Sequence, residues 1–374
     1  MIRRFVAPLV LPAASLLLAL IAGALFIVLS SPLVKGQLDL VLPVKAYGAL
    51  VQGSLLSPSG WIDTLVNATP LILAGLSVGI CFKAGLFNIG AQGQTLVGAL
   101  AAAGAGGLLA DQPAPIAIAI ALAAGLIAGG LYGFIPGVLK AFTGAHEVVT
   151  TIMLNYIAIQ LIAWAITGPL AAPGASFARS GDVGNARLPA LLGTTGHMLH
   201  AGVLIALVAV PVVWWVLNRS TVGFEVRTVG ANPDAARYAG MRPRLLTVGT
   251  MAVGGALAGL AGTIQILGVA GYMPAAYATN IGFDAITVAL IGRANPYGVL
   301  FGALLLGALR AGAPTMQITA GIPVEMIDIL QGVMLFFLAA DVIVRRLFRL
   351  RRVEGGVDEL QTVSRSYGGQ TSVT

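Results

Sequence analysis

The chain has 374 residues, of which 57% are hydrophobic and only 9% carry a charged side chain. A soluble globular domain carries roughly 25% Asp, Glu, Lys and Arg, because its surface must be solvated, so this composition excludes a water-soluble globular protein. The net charge of +7 does not indicate nucleic-acid binding, because the basic residues lie in short segments between apolar runs. The composition predicts an integral membrane protein, and the 49 glycines suit spanning helices that approach closely.

A membrane-spanning helix needs about 20 mostly apolar residues. The N-terminal apolar run is longer than the roughly 7–15 residues of a signal-peptide core, so we expect it to remain as the first span. Apolar stretches interrupted by Gly and Pro, as near the short eighth element, are typical of broken or re-entrant helices that line a cavity. The predicted spans, in chain order, are Ala7–Ser31, Thr64–Phe82, Ile89–Leu109, Ile116–Leu139, Val148–Thr167, Leu199–Leu217, Leu245–Val269, Ile281–Ile291, Tyr297–Ala313 and Met326–Val344.

The distribution of Lys and Arg predicts the orientation. With a cytoplasmic N-terminus and about ten spans, 16 of the 21 Lys and Arg residues fall on the cytoplasmic side, as the positive-inside rule requires. The predicted fold is therefore an all-α polytopic membrane helical bundle, with N-in and C-in termini and some spans broken or re-entrant. Residues 1–345 form the predicted transmembrane domain, and residues 346–374 a basic, polar cytoplasmic tail that we expect to be disordered.

Three connections are longer than a turn: residues 32–63 and 168–197 on the predicted outer side, and residues 218–244 on the predicted inner side. None reaches the roughly 50 residues of a small domain, so no connection holds a catalytic domain. The outer segment Tyr47–Leu56 is predicted to form a short interfacial helix.

A short internal similarity links two distant segments. Asn88–Gly90, followed by Thr95, is matched by Asn280–Gly282, followed by Thr287 at the same spacing. Transporters often carry paired structural repeats with the pathway at their interface, so the match favours an internal repeat. Chance is the alternative, because only four positions match in a chain so rich in Ala, Gly and Leu.

The sequence lacks the motifs of an ATPase or another enzyme. A P-loop needs Gly-Lys followed by Ser or Thr, and the four lysines follow Val34, Val44, Phe82 and Leu139. The histidines have no zinc-protease spacing, and no nucleophile-elbow motif precedes a helix. The single cysteine, Cys81, excludes an internal disulfide and a cysteine-based metal site. We therefore expect no catalytic residue, cofactor or metal on this chain, and any ATP hydrolysis must come from another polypeptide.

A few ionisable residues leave an ion-coupled mechanism open as an alternative. Ionisable groups within a membrane are expensive and usually functional, and Asp284 and Arg310 lie inside or beside apolar stretches. Glu147 follows His146 at a predicted helix start, where a carboxylate favours the positive helix end. We interpret Glu147 as a helix-end residue rather than a proton carrier.

The inner connection differs in composition from the rest of the chain. Asn232–Asp234 is a strong helix-start signal, with a capping Asn, Pro at the first helical position and an acid in the first turn, and Gly240 is a natural terminator. The pattern predicts a helix of one to two turns at the membrane face, whose small-residue surface suits a groove in a partner protein. The alternative is an ordinary charged loop packed on its own bundle. The residues assigned to this surface are Asn232, Asp234, Ala235, Ala236, Arg237 and Gly240.

Three segments resemble a known family. The pattern from Asp234 to Gly240, DAAxxxG, resembles the EAA loop of ABC importer permeases, with Asp in place of the usual Glu. The segments Gly85–Gln94 (GLFNIGAQGQ) and His146–Tyr156 (HEVVTTIMLNY) resemble the branched-chain amino acid and simple-sugar permease superfamily. Within that superfamily they are most similar to the larger permease subunit of nucleoside importers. The resemblance covers residues 50–344.

The resemblance implies a permease subunit of an ATP-driven importer in the bacterial cytoplasmic (inner) membrane. Its partners would be an ATP-binding subunit that holds ATP and Mg, a second homologous permease, an extracytoplasmic solute-binding lipoprotein, and membrane lipid. Residues 219–244 would form the coupling loop to the ATPase. The implied solute is a nucleoside; simple sugars and branched-chain amino acids are the alternatives within the superfamily.

A nucleoside pathway should offer amides, hydroxyls and an aromatic surface among mostly apolar walls. Thr151 and Asn155 are four residues apart and share a helix face, while Phe87 and Tyr156 are candidate stacking surfaces. Interhelical hydrogen bonding is the alternative role for these polar groups. The predicted pathway residues are Asn88, Gln92, Thr151 and Asn155.

Overall fold

The computed structural model describes residues 2–339 except 195, 276 and 278, and these are mostly helical. The predicted tail over 346–374 and the last residues of the tenth predicted span lie outside the described residues. The helices are α1 Ile2–Lys35, α2 Leu42–Ser54, α3 Pro58–Lys83, α4 Ala91–Leu108, α5 Ala114–Val138, α6 Glu147–Thr167, α7 Gly202–Arg219, α8 Thr221–Ala231, α9 Pro233–Tyr238, α10 Pro243–Gln265, α11 Ile281–Ile291, α12 Pro296–Ala320 and α13 Met326–Ala339.

Each of the ten predicted spans corresponds to a helix, but among the described residues only seven helices are long and apolar enough to cross a membrane. The helix α4 carries Gln92 and Gln94 near its start and is not one of the seven. The 11 residues of α11 extend about 16 Å, against a hydrocarbon core of about 30 Å. The described part of α13 has 14 residues. A count of ten full crossings is therefore not confirmed, and the N-in, C-in orientation stays a prediction.

The connections are more structured than the sequence indicates. The predicted outer helix is present as α2. The connection after α6 contains a 3₁₀ turn at Gly184–Ala186 and two paired strands, β1 Ala190–Thr194 and β2 His197–His200, which were not predicted. The inner connection contains two helices, α8 and α9, of which the sequence predicted only the second.

The chain divides into two compact units. The described part of the first comprises residues 2–68, 193–199 and 304–339. Within it the hydroxyl of Tyr47 donates a hydrogen bond to the carbonyl oxygen of Leu20 at 2.7 Å, which joins α2 to α1. His197 Nδ1 lies 2.8 Å from the carboxylate of Asp63, which joins β2 to α3.

The second unit comprises residues 69–192 and 200–303, and closely packed glycines join α5 to α10 within it. Gly125, Gly129 and Gly133 recur every fourth residue on α5 and face Gly255 and Gly259 on α10. A Cβ atom added to Gly129 would lie 2.6 Å from the Cα of Gly259, and one added to Gly133 would lie 2.9 Å from the Cα of Gly255. Only glycine permits such close backbone contact, which is a common way for membrane helices to associate.

Both helices of this pair end in the same way. Each continues into a π-helical turn, Leu139–Thr143 after α5 and Ile266–Ala270 after α10. Each turn then closes at a glycine with positive φ, Gly144 at 72° and Gly271 at 76°, a conformation that glycine adopts without strain. The two extended spans, of 30 and 28 residues, are the longest candidate crossings in the described chain.

Substitution of one contact glycine should destabilise this helix pair. In Gly259→Ala the new methyl group would lie 2.8 Å from the Cα of Gly129, so the backbones must separate. We expect the free energy of unfolding to fall by about 1–3 kcal/mol, measured as a lower Tm of the purified protein in detergent. The control is Gly249→Ala on the same helix, where a Cβ atom would meet nothing within 4 Å. Alanine is the better helix former, so Tm should hold or rise; equal losses in both variants would contradict the close contact.

Candidate functional site

The helix α9 begins as the sequence predicts. Asn232 Oδ1 accepts hydrogen bonds from the backbone N–H groups of Asp234 and Ala235, both at 3.0 Å, and Pro233 is the first helical residue. A helix leaves these N–H groups without partners of its own, so the side chain satisfies them. Gly240 has φ +81° and ends the segment. The predicted start and stop of this helix are therefore confirmed.

The helix α9 is exposed on almost every side. Asp234, Ala235 and Arg237 are exposed, and the side chain of Tyr238 is 95% exposed. Ala236, in contrast, is completely buried. It therefore anchors the helix and does not belong to the small-residue contact surface that the sequence predicts. Tyr238 was not among the predicted residues; its only sequence signal was an aromatic residue inside a charged loop.

The helix α8 precedes α9 and packs against the rest of the second unit. Ser220 Oγ caps α8 by accepting a hydrogen bond from the N–H of Gly223 at 3.0 Å. At the other end of α8, a Cβ atom on Gly230 would lie 2.8 Å from the carbonyl carbon of Ala84. The end of α8 therefore packs directly on the turn that follows α3, and α9 starts two residues beyond Ala231.

A cleft of about 420 Å³ lies in the second unit between α4, α6 and the segment that leads into α11. It brings together two of the four predicted pathway residues, Gln92 and Asn155, while Asn88 and Thr151 do not line it. Tyr156 lines the cleft and is 68% exposed, so the cleft is open beside α6. The lining residues are Gln92, Leu96, Ile152, Asn155, Tyr156, Ile159, Ile162, Ala275, Tyr277, Thr279, Asn280 and Phe283.

The side chain of Asn155 holds the start of α4. Its Oδ1 accepts a hydrogen bond from the N–H of Gly93 at 2.7 Å, and its Nδ2 donates to the carbonyl oxygen of Ile89 at 3.1 Å. Gly93 is the third residue of α4, so its N–H has no carbonyl partner within the helix. Asn155 therefore caps a helix from a neighbouring one.

The side chain of Gln92 holds the start of α11 in the same way. Its Oε1 accepts a hydrogen bond from the N–H of Gly282 at 2.8 Å, and its Nε2 donates to the carbonyl oxygen of Thr279. Gly282 is the second residue of α11. A Cβ atom on Gly282 would lie 2.6 Å from the carbonyl carbon of Ala91, so the starts of α4 and α11 abut.

The remaining predicted pathway residues make local contacts. Asn88 and Gln94 exchange hydrogen bonds through their side-chain amides at 2.9 and 3.2 Å. Thr151 is completely buried, and its hydroxyl donates to the carbonyl four residues earlier at 2.6 Å. The ring of Phe87 stacks on Phe82, with centroids 5.3 Å apart. Asn88 and Thr151 therefore bond within or beside their own helices, and their pathway role stays a prediction. Of the two candidate stacking surfaces, only Tyr156 lines the cleft.

Among the polar and aromatic residues of the cleft, the sequence reasoning missed four: Tyr277, Thr279, Asn280 and Phe283. The internal similarity could have indicated Asn280 and the segment around it. Asn88–Gly90 leads into α4 and Asn280–Gly282 leads into α11, so both matched segments open helices, and these helices meet at the cleft.

Two of the ionisable residues singled out in the sequence, Glu147 and Asp284, lie in the first turns of helices. Glu147 is the buried first residue of α6, and its carboxylate lies 2.7 Å from Lys140 Nζ. Asp284 is buried in the first turn of α11, where the positive helix end favours a carboxylate. Across the described residues, no three His, Cys, Asp or Glu side chains come together in a way that would hold a metal ion.

Removing the amide of Asn155 should destabilise the fold. Asn155→Leu keeps the size of the side chain but leaves the N–H of Gly93 and the carbonyl of Ile89 unpaired, at about 1–3 kcal/mol for each buried group. We expect a lower Tm for the purified chain without solute. The control is Asn280→Leu, since Asn280 lines the same cleft but is exposed and its side chain makes no hydrogen bond within the described residues. That variant should stay within about 0.5 kcal/mol, and a matching Tm loss there would argue against the capping role.

Comparison with known proteins gives a consistent set of relatives. The family model for the branched-chain amino acid transport system permease component matches residues 60–339. The guanosine ABC transporter permease protein of Bacillus subtilis (strain 168) is 40% identical over 339 residues, 90% of this chain and 94% of that protein. The glucose ABC transporter permease protein of Haloferax volcanii is 36% identical over 79% of this chain and 80% of its own length. The nucleoside ABC transporter permease protein of Lactococcus lactis subsp. cremoris is 34% identical over 81% of this chain and 85% of its own length.

These matches confirm the resemblance seen in the three sequence segments. The relatives are permease subunits of ABC transporters rather than ATPases. Together with the apolar helices of the described chain, they identify a multi-pass protein of the bacterial inner membrane. The chain belongs to the branched-chain amino acid transport system permease family.

Proposed function

We propose that this chain is the translocation subunit of an ATP-driven importer that moves a nucleoside inward across the bacterial inner membrane. The observation that carries the proposal is the 40% identity to the guanosine permease over nearly the whole of both chains. The nucleoside permease of Lactococcus lactis adds a second relative of the same solute class. The chain supplies the pathway, and ATP and Mg bind to a partner subunit.

Coupling to that ATP-binding subunit takes place through the loop 219–244. Three features support this: α9 is capped at its first turn, fixed by the buried Ala236, and otherwise exposed. A short helix that is packed at its base can transmit the movement of a docked ATPase to the membrane helices. A mobile loop would change conformation instead. Asn232 and Gly240 define the helix, while Asp234, Ala235, Arg237 and Tyr238 form its contact surface.

The cleft is the proposed solute site. Its volume of about 420 Å³ falls within the roughly 300–1,000 Å³ of small-molecule sites. Tyr156, Tyr277 and Phe283 offer aromatic faces on which a nucleobase can stack. Gln92 and Asn155 contribute as the residues that fix the cleft walls. Because the cleft is open beside α6, a second homologous permease would complete it, and an extracytoplasmic lipoprotein would deliver the solute.

A simple sugar is the second candidate solute, favoured by the 36% identity to the glucose permease. A sugar would use the same cleft, since sugars also stack on aromatic rings and hydrogen-bond through hydroxyls. Radiolabelled nucleosides, sugars and branched-chain amino acids offered to the reconstituted complex separate these solutes directly.

Reconstitution of this chain with and without its partners tests the transport class. The chain alone in proteoliposomes should neither hydrolyse ATP nor accumulate solute. Addition of the ATPase, the second permease and the loaded lipoprotein should produce ATP-dependent nucleoside uptake. Uptake by the chain alone, driven by a proton or sodium gradient, would replace the proposal with a secondary transporter.

Tyr238 tests the coupling surface. Because its side chain is 95% exposed, Tyr238→Ala should leave the Tm of the isolated chain unchanged. If Tyr238 is an anchor of the docked complex, we expect a loss of about 2 kcal/mol or more, roughly thirtyfold in affinity for the ATPase. Copurification of the ATPase and solute uptake report that loss.

Leu108→Ala is the matched control. Leu108 is the last residue of α4 and is 85% exposed, and it lies outside the coupling loop 219–244. It should copurify and transport like the unmodified protein. Normal ATPase retention and normal uptake by Tyr238→Ala would remove Tyr238 from the docking surface.

A further inference from the structure

One polar group of the cleft has no hydrogen-bond partner among the described residues. Tyr277 lines the cleft, its hydroxyl is buried, and no hydrogen bond to that hydroxyl exists within the described residues. A buried polar group without a partner opposes folding, and such groups are rare enough in native proteins that each calls for a physical reason. A ligand that fills the cleft and supplies the missing hydrogen bond is such a reason.

The other polar side chains of the cleft are already satisfied. Both polar atoms of Gln92 and of Asn155 bind backbone groups, and the hydroxyl of Thr279 accepts from the N–H of Ile281 at 3.3 Å. Asn280 and Tyr156 are exposed, so neither places a buried polar atom in the cleft. The hydroxyl of Tyr277 is therefore the one polar lining group in the described cleft that is both buried and unpaired.

Its surroundings also fix its chemical role. Burial raises the pKa of the Tyr277 phenol above its usual value, so the group remains protonated at every physiological pH. A protonated phenol has one O–H to donate. The group that matches it is a hydrogen-bond acceptor, such as a ring nitrogen, a carbonyl oxygen or a sugar oxygen.

We propose that Tyr277 is a specificity-determining residue, whose hydroxyl donates a hydrogen bond to an acceptor atom of the solute bound in the cleft. The inference rests on the proposed function of the cleft as the solute site. A solute with an acceptor at this position pairs the hydroxyl, while an analogue without it leaves the hydroxyl buried and unpaired. Sites built in this way discriminate strongly against analogues that lack the paired group.

The test uses the reconstituted complex with Tyr277→Phe, which removes the hydroxyl and keeps the ring. Uptake is measured for guanosine and for analogues that each lack one acceptor: 7-deazaguanosine, 2-aminopurine riboside, and the 2′- and 3′-deoxynucleosides. We expect about a tenfold rise in KM for guanosine, in line with one lost neutral hydrogen bond. One analogue should be transported equally by the variant and the unmodified complex, because it lacks the atom that Tyr277 contacts.

Two further measurements separate recognition from a structural role. The Tm of Tyr277→Phe without solute should hold or rise, because the hydroxyl has no partner to lose. Tyr297→Phe removes an exposed hydroxyl from a tyrosine that does not line the cleft, and it should leave KM unchanged for every solute. A lower Tm for Tyr277→Phe, an equal loss for all solutes, or no change for any solute would overturn the proposal.

The outcome also distinguishes this inference from the proposed function. If the complex imports glucose and no nucleoside, the nucleoside assignment fails, and monodeoxyglucoses provide the same comparison for Tyr277. If Tyr277→Phe weakens the transport of every sugar tested except one, the hydrogen bond is still supported. If it weakens the transport of all of them equally, the proposal is overturned. If none of the solute classes accumulates, both proposals fall.

Discussion

A membrane interior offers no water to backbone N–H and C=O groups, so each helix end that is buried there must find its partners within the protein. The starts of α4 and α11 meet this requirement through two amide side chains, Asn155 for α4 and Gln92 for α11. Because each amide comes from a neighbouring helix, the two helix starts are satisfied by contacts between helices rather than within one. The cleft lies at the same point, so the side chains that cap α4 and α11 also shape its walls.

The glycine contacts between α5 and α10 provide the frame for this arrangement. Gly129 and Gly259 let two long helices approach until their backbones touch, and dispersion contacts along such a seam are the main source of helix association in lipid. Close backbone packing also leaves little room for sliding. The second unit therefore combines a tightly packed pair of long helices with two abutting helix starts, each capped by a side-chain amide.

Local patterns in the sequence predicted the helices and the cap at Asn232, because hydropathy and capping depend on neighbours along the chain. They did not predict that Ala236 faces inward or that Asn155 binds the N–H of Gly93, since both depend on segments distant in sequence. The same local patterns favoured Asn88 and Thr151 as pathway residues. A polar residue in an apolar stretch gives the same sequence signal whether its side chain bonds to a near neighbour or faces a cavity. Tyr277 was missed because a tyrosine in a Gly- and Ala-rich connection carries no periodic signal.

The amide of Gln92 holds both the carbonyl of Thr279 and the N–H of Gly282. Since one planar group makes both bonds, a shift of about an ångström at the start of α11 weakens them together. Gln92 also lines the cleft, so one side chain both shapes the cleft wall and supplies two hydrogen bonds at the start of α11. A displacement that breaks one of these bonds therefore weakens the other.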